Sequence, residues 1–164
     1  MWIIMKDNYI QLNKDDRLKL EIFTDKGEST GEYLIFDLED IDLPLKYQQL
    51  LEKHKKNKQW IINQETIINK REDVKGKKLL SKNEEDMMIA YKQFYDKETE
   101  IYNEFLGENG VQKLLNGRAM GWTRLQEIDN IINTQIVPKL DISKEKIIDK
   151  IKSTYGSNDS EELK

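Results

Sequence analysis

Two long apolar runs at helical spacing, separated by a short polar connector, constrain this chain more than anything else in it. In the first, Tyr47, Leu50, Leu51, His54, Ile61, Ile62 and Ile68 recur at intervals that place them along one side of a helix. In the second, Met88, Tyr91, Tyr95, Tyr102 and Phe105 do the same, with Met87, Phe94 and Ile101 alongside. The connector, Asp73-Val74-Lys75-Gly76-Lys77-Lys78, has no apolar face of its own. Two such helices bury their stripes most directly by folding back on one another as an antiparallel hairpin. Asp42 is placed to cap the first helix and Pro44 suits its first turn, so the spacing predicts a helix over residues 43–71. Ser81 followed by Glu84 is a capping-box pattern that starts the second, and Gly107 stops it after Leu106. A helix of about 29 residues would run roughly 43 Å, longer than a domain of this size needs. Such a helix either projects or breaks midway, and the break candidate is residues 53–59, where Lys53, Lys55, Lys56 and Lys58 crowd the polar side and the apolar stripe thins.

Ahead of the hairpin the period changes from helical to alternating. Leu18, Leu20 and Ile22 alternate with Arg17, Lys19 and Glu21, the pattern of a half-buried strand. Residues 25–31 are dense in turn formers, and residues 33–38 supply a second strand. Because an isolated two-stranded hairpin is marginal in water, either a third strand from residues 2–5 or 9–12 joins it or a helix covers it.

Behind the hairpin, residues 111–116 read as a short helix bracketed by Gly110 and Gly117. Trp122, Leu125, Ile128, Ile132 and Ile136 define a further helix over residues 122–137, which Pro138 ends. Trp122 is expected to anchor it as its largest apolar contributor. Ser143 then caps a last helix carrying Ile147, Ile148, Ile151 and Tyr155. The fold class that follows is α+β and mainly helical: a small N-terminal β-hairpin or sheet, a long helical hairpin and two shorter C-terminal helices. At 164 residues this is one domain. It comprises residues 1–155, divided into a β-rich part (1–41), a helical body (42–137) and a C-terminal helix (138–155), with a disordered tail over 156–164.

Composition removes much chemistry. With no cysteine and one histidine, there is no thiol nucleophile, disulfide framework or Cys/His zinc site. Twenty-seven Lys and Arg stand against 31 Asp and Glu, so the global electrostatic drive of a general nucleic-acid binder is missing. No run reaches the roughly 18 apolar residues of a membrane helix, and the apolar opening over residues 1–5 lacks a signal-peptide core, so a cytoplasmic, non-membrane protein is expected.

Each candidate site competes with a plainer reading. His54 is the obvious general base by its ordinary pKa, but it lies in a lysine-rich helical stretch with no nucleophile near it in sequence. Asp37, Glu39, Asp40 and Asp42 lack calcium-loop spacing and suit the start of the following helix. Lys53, Lys55, Lys56 and Lys58 would form a basic edge only if the fold brought Lys75, Lys77 and Lys78 beside them. The glycines of residues 107–121 lack phosphate-loop spacing and read as turns. The stripe of Met87, Met88, Tyr91, Phe94, Tyr95, Tyr102 and Phe105 is wide enough to leave apolar area for another chain, by self-association or by binding a helical partner.

The order of these pieces resembles the small tail-morphogenesis proteins of phages of low-GC Gram-positive hosts, in particular tail assembly chaperones. The residues that carry the likeness are Phe36-Asp37-Leu38-Glu39-Asp40-Ile41-Asp42-Leu43-Pro44-Leu45-Lys46-Tyr47 opening a helix, then Phe105-Leu106-Gly107-Glu108-Asn109-Gly110 and Leu114-Leu115-Asn116-Gly117. It spans residues 33–137. The resemblance implies a non-enzymatic protein, without cofactor or metal, working in the cytoplasm of the bacterial host. Such a protein keeps the helical tape-measure protein soluble while tail-tube subunits assemble around it, and the family often makes a second, longer product by ribosomal frameshifting. The family has no catalytic residues to carry over. The partner-contact candidates come from the stripes themselves: Tyr91, Tyr95, Tyr102, Phe105 and Trp122. Rival readings are another virion-morphogenesis component, such as a head–tail connector or scaffold, and a small DNA-binding regulator.

Overall fold

A computed structural model describes residues 9–156 of the chain. The architecture is α+β and mainly helical. Strands β1 (Leu18–Phe23) and β2 (Ser29–Phe36) pair antiparallel, with Leu18 opposite Phe36 and Leu20 opposite Leu34. These pairs turn inward, as the alternation of β1 requires. The turn closes earlier than expected, from Thr24 to Glu28, and β2 begins at Ser29. Gly31, with φ of 76°, absorbs the register shift that follows Glu21, a conformation in which a side chain would be strained.

Residues 9–12 form no strand, and Tyr9, Ile10 and Leu12 stand exposed. The alternative third strand, residues 2–5, lies outside the described residues, as does the expected tail from residue 157 on. Helices cover the sheet instead. Phe36 meets Phe105 with ring centroids 5.8 Å apart, and Phe105 meets Tyr47 at 5.6 Å, so sheet and helical hairpin share one core.

Helix α1 (Asp42–Asn69) and helix α2 (Lys82–Leu106) form the expected antiparallel hairpin. Asp42 is the first helical residue rather than the cap. Ser81 caps α2 with both halves of the capping box in place: its side chain accepts from Glu84 N–H, and the Glu84 carboxylate accepts from Ser81 N–H. Gly107, at φ 97°, ends α2. The candidate break in α1 does not occur. Residues 53–59 are unbroken helix, because the stripe there does not stop but turns polar: Asn57 and His54 take its positions and find partners on α2.

Helix α3 (Gly110–Leu115) is started by a side chain from another element, for Asn103 Oδ1 accepts Val111 N–H at 2.8 Å. Helix α4 (Trp122–Ile131) buries Leu125 and Ile128 but leaves Trp122 61% exposed, so the tryptophan is not the packing anchor its size suggested. Pro138 does not end this helix either. One π-turn, Ile132–Ile136, carries α4 directly into helix α5 (Val137–Ile151). Val137 N–H reaches back to Ile132 O, and widening the turn accommodates a residue that has no N–H and whose ring would crowd the preceding turn. Ser143 consequently lies inside α5 rather than capping a separate helix, its hydroxyl donating to Leu140 O. Ile132, Ile136 and Leu140 complete the core, each worth about 1.5–3 kcal/mol of burial. Past Leu140, Ile142, Ile148, Ile151 and Tyr155 are exposed.

Candidate functional site

The polar seam of the hairpin is built around Glu98, which is 0% exposed. Its Oε1 accepts from Asn57 Nδ2 at 2.7 Å, and the same amide donates to Phe94 O at 3.1 Å. Its Oε2 accepts from His54 Nδ1 at 2.6 Å. A buried carboxylate is tolerable only when its oxygens are bonded, and here both are. The hydrogen bond to Glu98 raises the His54 pKa above its ordinary 6.5, against a smaller opposing effect of burial. The His54 ring meets Tyr102 edge to face, and the Tyr102 hydroxyl donates to Asp129 on α4. Burial first, and then the Asp129 carboxylate, push the Tyr102 phenol upward, so it stays a donor. Three helices are thereby joined through one connected set of side chains.

Immediately beside this set lies a half-open cleft of about 380 Å³. Tyr91, Phe94 and Tyr95 of α2 and Trp122 and Leu125 of α4 give it aromatic and apolar walls. Two carboxylates also line it, Glu65 of α1 and Asp129 of α4. Glu65 Oε1 accepts the Tyr91 hydroxyl at 2.8 Å, which holds the Tyr91 phenol protonated above its usual range. Cleft walls of this kind bind apolar surface and position it with a few polar groups.

The five contact candidates from the sequence part company here. Tyr91, Tyr95 and Trp122 line the cleft. Tyr102 and Phe105, at 1% and 3% exposure, belong to the core and present no surface to a partner. His54 lines the cleft as well, but with its Nδ1 committed to Glu98. Glu98 and Asn57 were missed by the sequence reading. The signal for both was their spacing: Leu50, His54, Asn57 and Ile61, and Phe94, Glu98, Ile101 and Phe105, each recur every three to four residues, so a polar group at such a position is bound to face the seam.

The remaining candidates stay apart. Asp37 and Asp40 accept backbone N–H groups of Glu39 and Asp42 in the passage into α1, and no group of three metal-ligating side chains exists among the described residues. Lys53, Lys55, Lys56 and Lys58 sit mid-helix, while Lys75, Lys77 and Lys78 lie in the connector beyond the end of α1, roughly 16 Å further along the axis. They form no continuous basic edge. Among the described residues no helix is long and apolar enough to cross a membrane. No protein-family model, curated protein or solved structure matches the chain.

Proposed function

We propose that this chain is a non-enzymatic tail assembly chaperone of a phage, acting in the host cytoplasm by binding the tape-measure protein during tail morphogenesis. The observation that carries the reading is the convergence of Tyr91, Tyr95 and Trp122, from two separate helices, on one cleft flanked by exposed Ile62. An aromatic-walled groove between helices receives the apolar face of an amphipathic helix. The exposed Ile148 and Ile151 of α5, with Tyr155 in the π-turn Lys152–Gly156 that follows it, add a second apolar surface, and several weak contacts along one long partner sum to avidity. The resemblance in the order of elements to tail assembly chaperones, drawn from the sequence over residues 33–137, supports the biological setting.

Co-expression with the large tape-measure product tests the reading directly. A tape-measure protein that is soluble only with copies of this chain bound supports it, with the stoichiometry taken from the mass of the complex. A well-behaved free chain beside an insoluble or independently soluble tape-measure protein overturns it.

A further inference from the structure

We propose that Asn116-Gly117, at the end of α3, is a modification site at which the folded chain converts asparagine to aspartate and isoaspartate without an enzyme. Asn109-Gly110, at the start of the same helix, is by contrast held unreactive. These are the two Asn-Gly pairs of the chain. The reaction involves no partner, so it stands or falls apart from the chaperone reading.

The chemistry is an internal acyl transfer. The Gly117 backbone nitrogen gives its proton to hydroxide and attacks Cγ of Asn116. The new N–Cγ bond closes a succinimide ring as the Cγ–Nδ2 bond breaks, and the side-chain nitrogen leaves as ammonia. Water then opens the ring at either carbonyl: addition at Cγ gives aspartate, and addition at the main-chain carbon gives isoaspartate, whose backbone runs through Cβ. One water is consumed, one ammonia is released and one negative charge is gained. Glycine favours the attack because no side chain shields its nitrogen.

Both asparagines adopt left-handed backbone, Asn116 at φ 49°, ψ 52° and Asn109 at φ 56°, ψ 20°. Ring closure needs rotation about ψ in each, so the structure that follows the asparagine decides how readily it opens. At Asn116 little resists. Asn116 and Gly117 are exposed, and a Cβ on Gly117 would meet nothing within 4 Å. Among the described residues neither the Asn116 side-chain amide nor the Gly117 N–H has a hydrogen-bond partner. The backbone bond that spans the pair, Arg118 N–H to Leu115 O at 3.1 Å, closes an exposed turn. At Asn109 the same rotation would displace packed structure. Gly110 is buried, its N–H already donates to Gly107 O at 3.0 Å, and a Cβ there would lie 2.6 Å from Leu106 Cβ. Val111, the next residue, is 0% exposed and its N–H is held by Asn103 Oδ1.

The product alters the passage from α3 to α4. Asn116 is the left-handed residue that closes α3, its N–H donating to Gln112 O at 3.0 Å. Isoaspartate adds a main-chain carbon at that point. The new carboxylate joins Asp25 and Arg118 among the residues lining a hollow of about 190 Å³ between α3 and the β-hairpin turn.

The test ages the full folded chain in mildly alkaline buffer and digests it with trypsin, which cuts after Lys97, Lys113 and Arg118 and so places Asn109 and Asn116 on separate peptides. Mass spectrometry follows deamidation of each, and chromatography separates aspartate from isoaspartate. In the folded chain Asn116 should react roughly tenfold or more faster than Asn109, and in guanidinium the two rates should converge. The Asn116 rate should rise with pH, because the attacking nitrogen must be deprotonated. Equal rates in the folded chain, or a faster Asn109, overturn the proposal, as does an Asn116 that stays intact while the unfolded chain reacts. A gap that persists in guanidinium assigns the difference to neighbouring sequence and overturns the protection of Asn109 by the fold.

Discussion

Nδ1 of His54 on one long helix lies 2.6 Å from Oε2 of Glu98 on the other, and Glu98 has no exposure to solvent at all. The hairpin is thus pinned at its middle by a charge-assisted hydrogen bond instead of an apolar contact. Removing one member of such a pair leaves the other buried without compensation, a loss of about 3 kcal/mol or more. Asn57→Leu and His54→Leu should each destabilise strongly by chemical denaturation, whereas the triple replacement that also makes Glu98 leucine should recover much of the loss. Additive losses in the triple variant would contradict this account.

The same pair sets a pH dependence with a definite sign. Because the folded-state pKa of His54 is raised, its contribution is complete below 6.5 and fades as pH climbs through the raised value. Stability should therefore decline as pH rises above 6.5, as followed by urea midpoints, and Glu98→Gln should flatten that slope. His54 is the only histidine in the chain, so no second imidazole obscures the comparison.

Tyr102 ties α2 to α4 through Asp129. Tyr102→Phe keeps the ring and its edge-to-face contact with His54 but leaves Asp129 without its buried donor. A loss of about 1–2 kcal/mol is expected in equilibrium unfolding, with the fold unchanged by circular dichroism.

Gly110 has no room for a methyl group. A Cβ there would lie 2.6 Å from Leu106 Cβ and 3.6 Å from Leu34 Cδ2, where α3 closes onto α2 and the sheet. Gly110→Ala should cost about 1–3 kcal/mol through overpacking, visible as a lowered Tm, even though alanine favours helix.

Trp122 should behave in the opposite way. Exposed over most of its surface and standing at the cleft mouth, it contributes little to folding, so Trp122→Ala should shift stability by about 0.5 kcal/mol or less. Under the proposed function its loss should weaken binding of the tape-measure protein by an order of magnitude in co-purification or titration. A large fall in Tm would return it to the packing role its size first suggested.

How much of this was legible depended on which force dominated locally. The period-2 run through Leu18, Leu20 and Ile22 located β1 to within a residue at each end, and the Ser81/Glu84 box located the start of α2, because in both cases a local rule and the tertiary packing agree. The middle of α1 misled for the opposite reason. Between His54 and Ile61 its stripe was judged by hydrophobicity alone, so the seam position Asn57 looked like a gap, and its meaning depended on Glu98, more than 40 residues away in sequence. Pro138 misled because proline ordinarily stops a helix, and the π-turn that accommodates it has no recognisable local signature. For Trp122, composition gives size but not direction: the residue opens α4 one turn before Leu125, where that helix has yet to reach the core.

That π-turn also acts on the phase of the helix. Each residue of an ordinary helix advances the azimuth by about 100°, so the additional residue in Ile132–Ile136 rotates everything after it by that angle relative to α4. The side of α5 on which Ile148 and Ile151 emerge is therefore set by a turn that ends more than ten residues before them. Deleting Thr134 would let an ordinary α-helix run straight through and leave that stripe on the side it already occupies, because the residue removed is the one the wider turn absorbs.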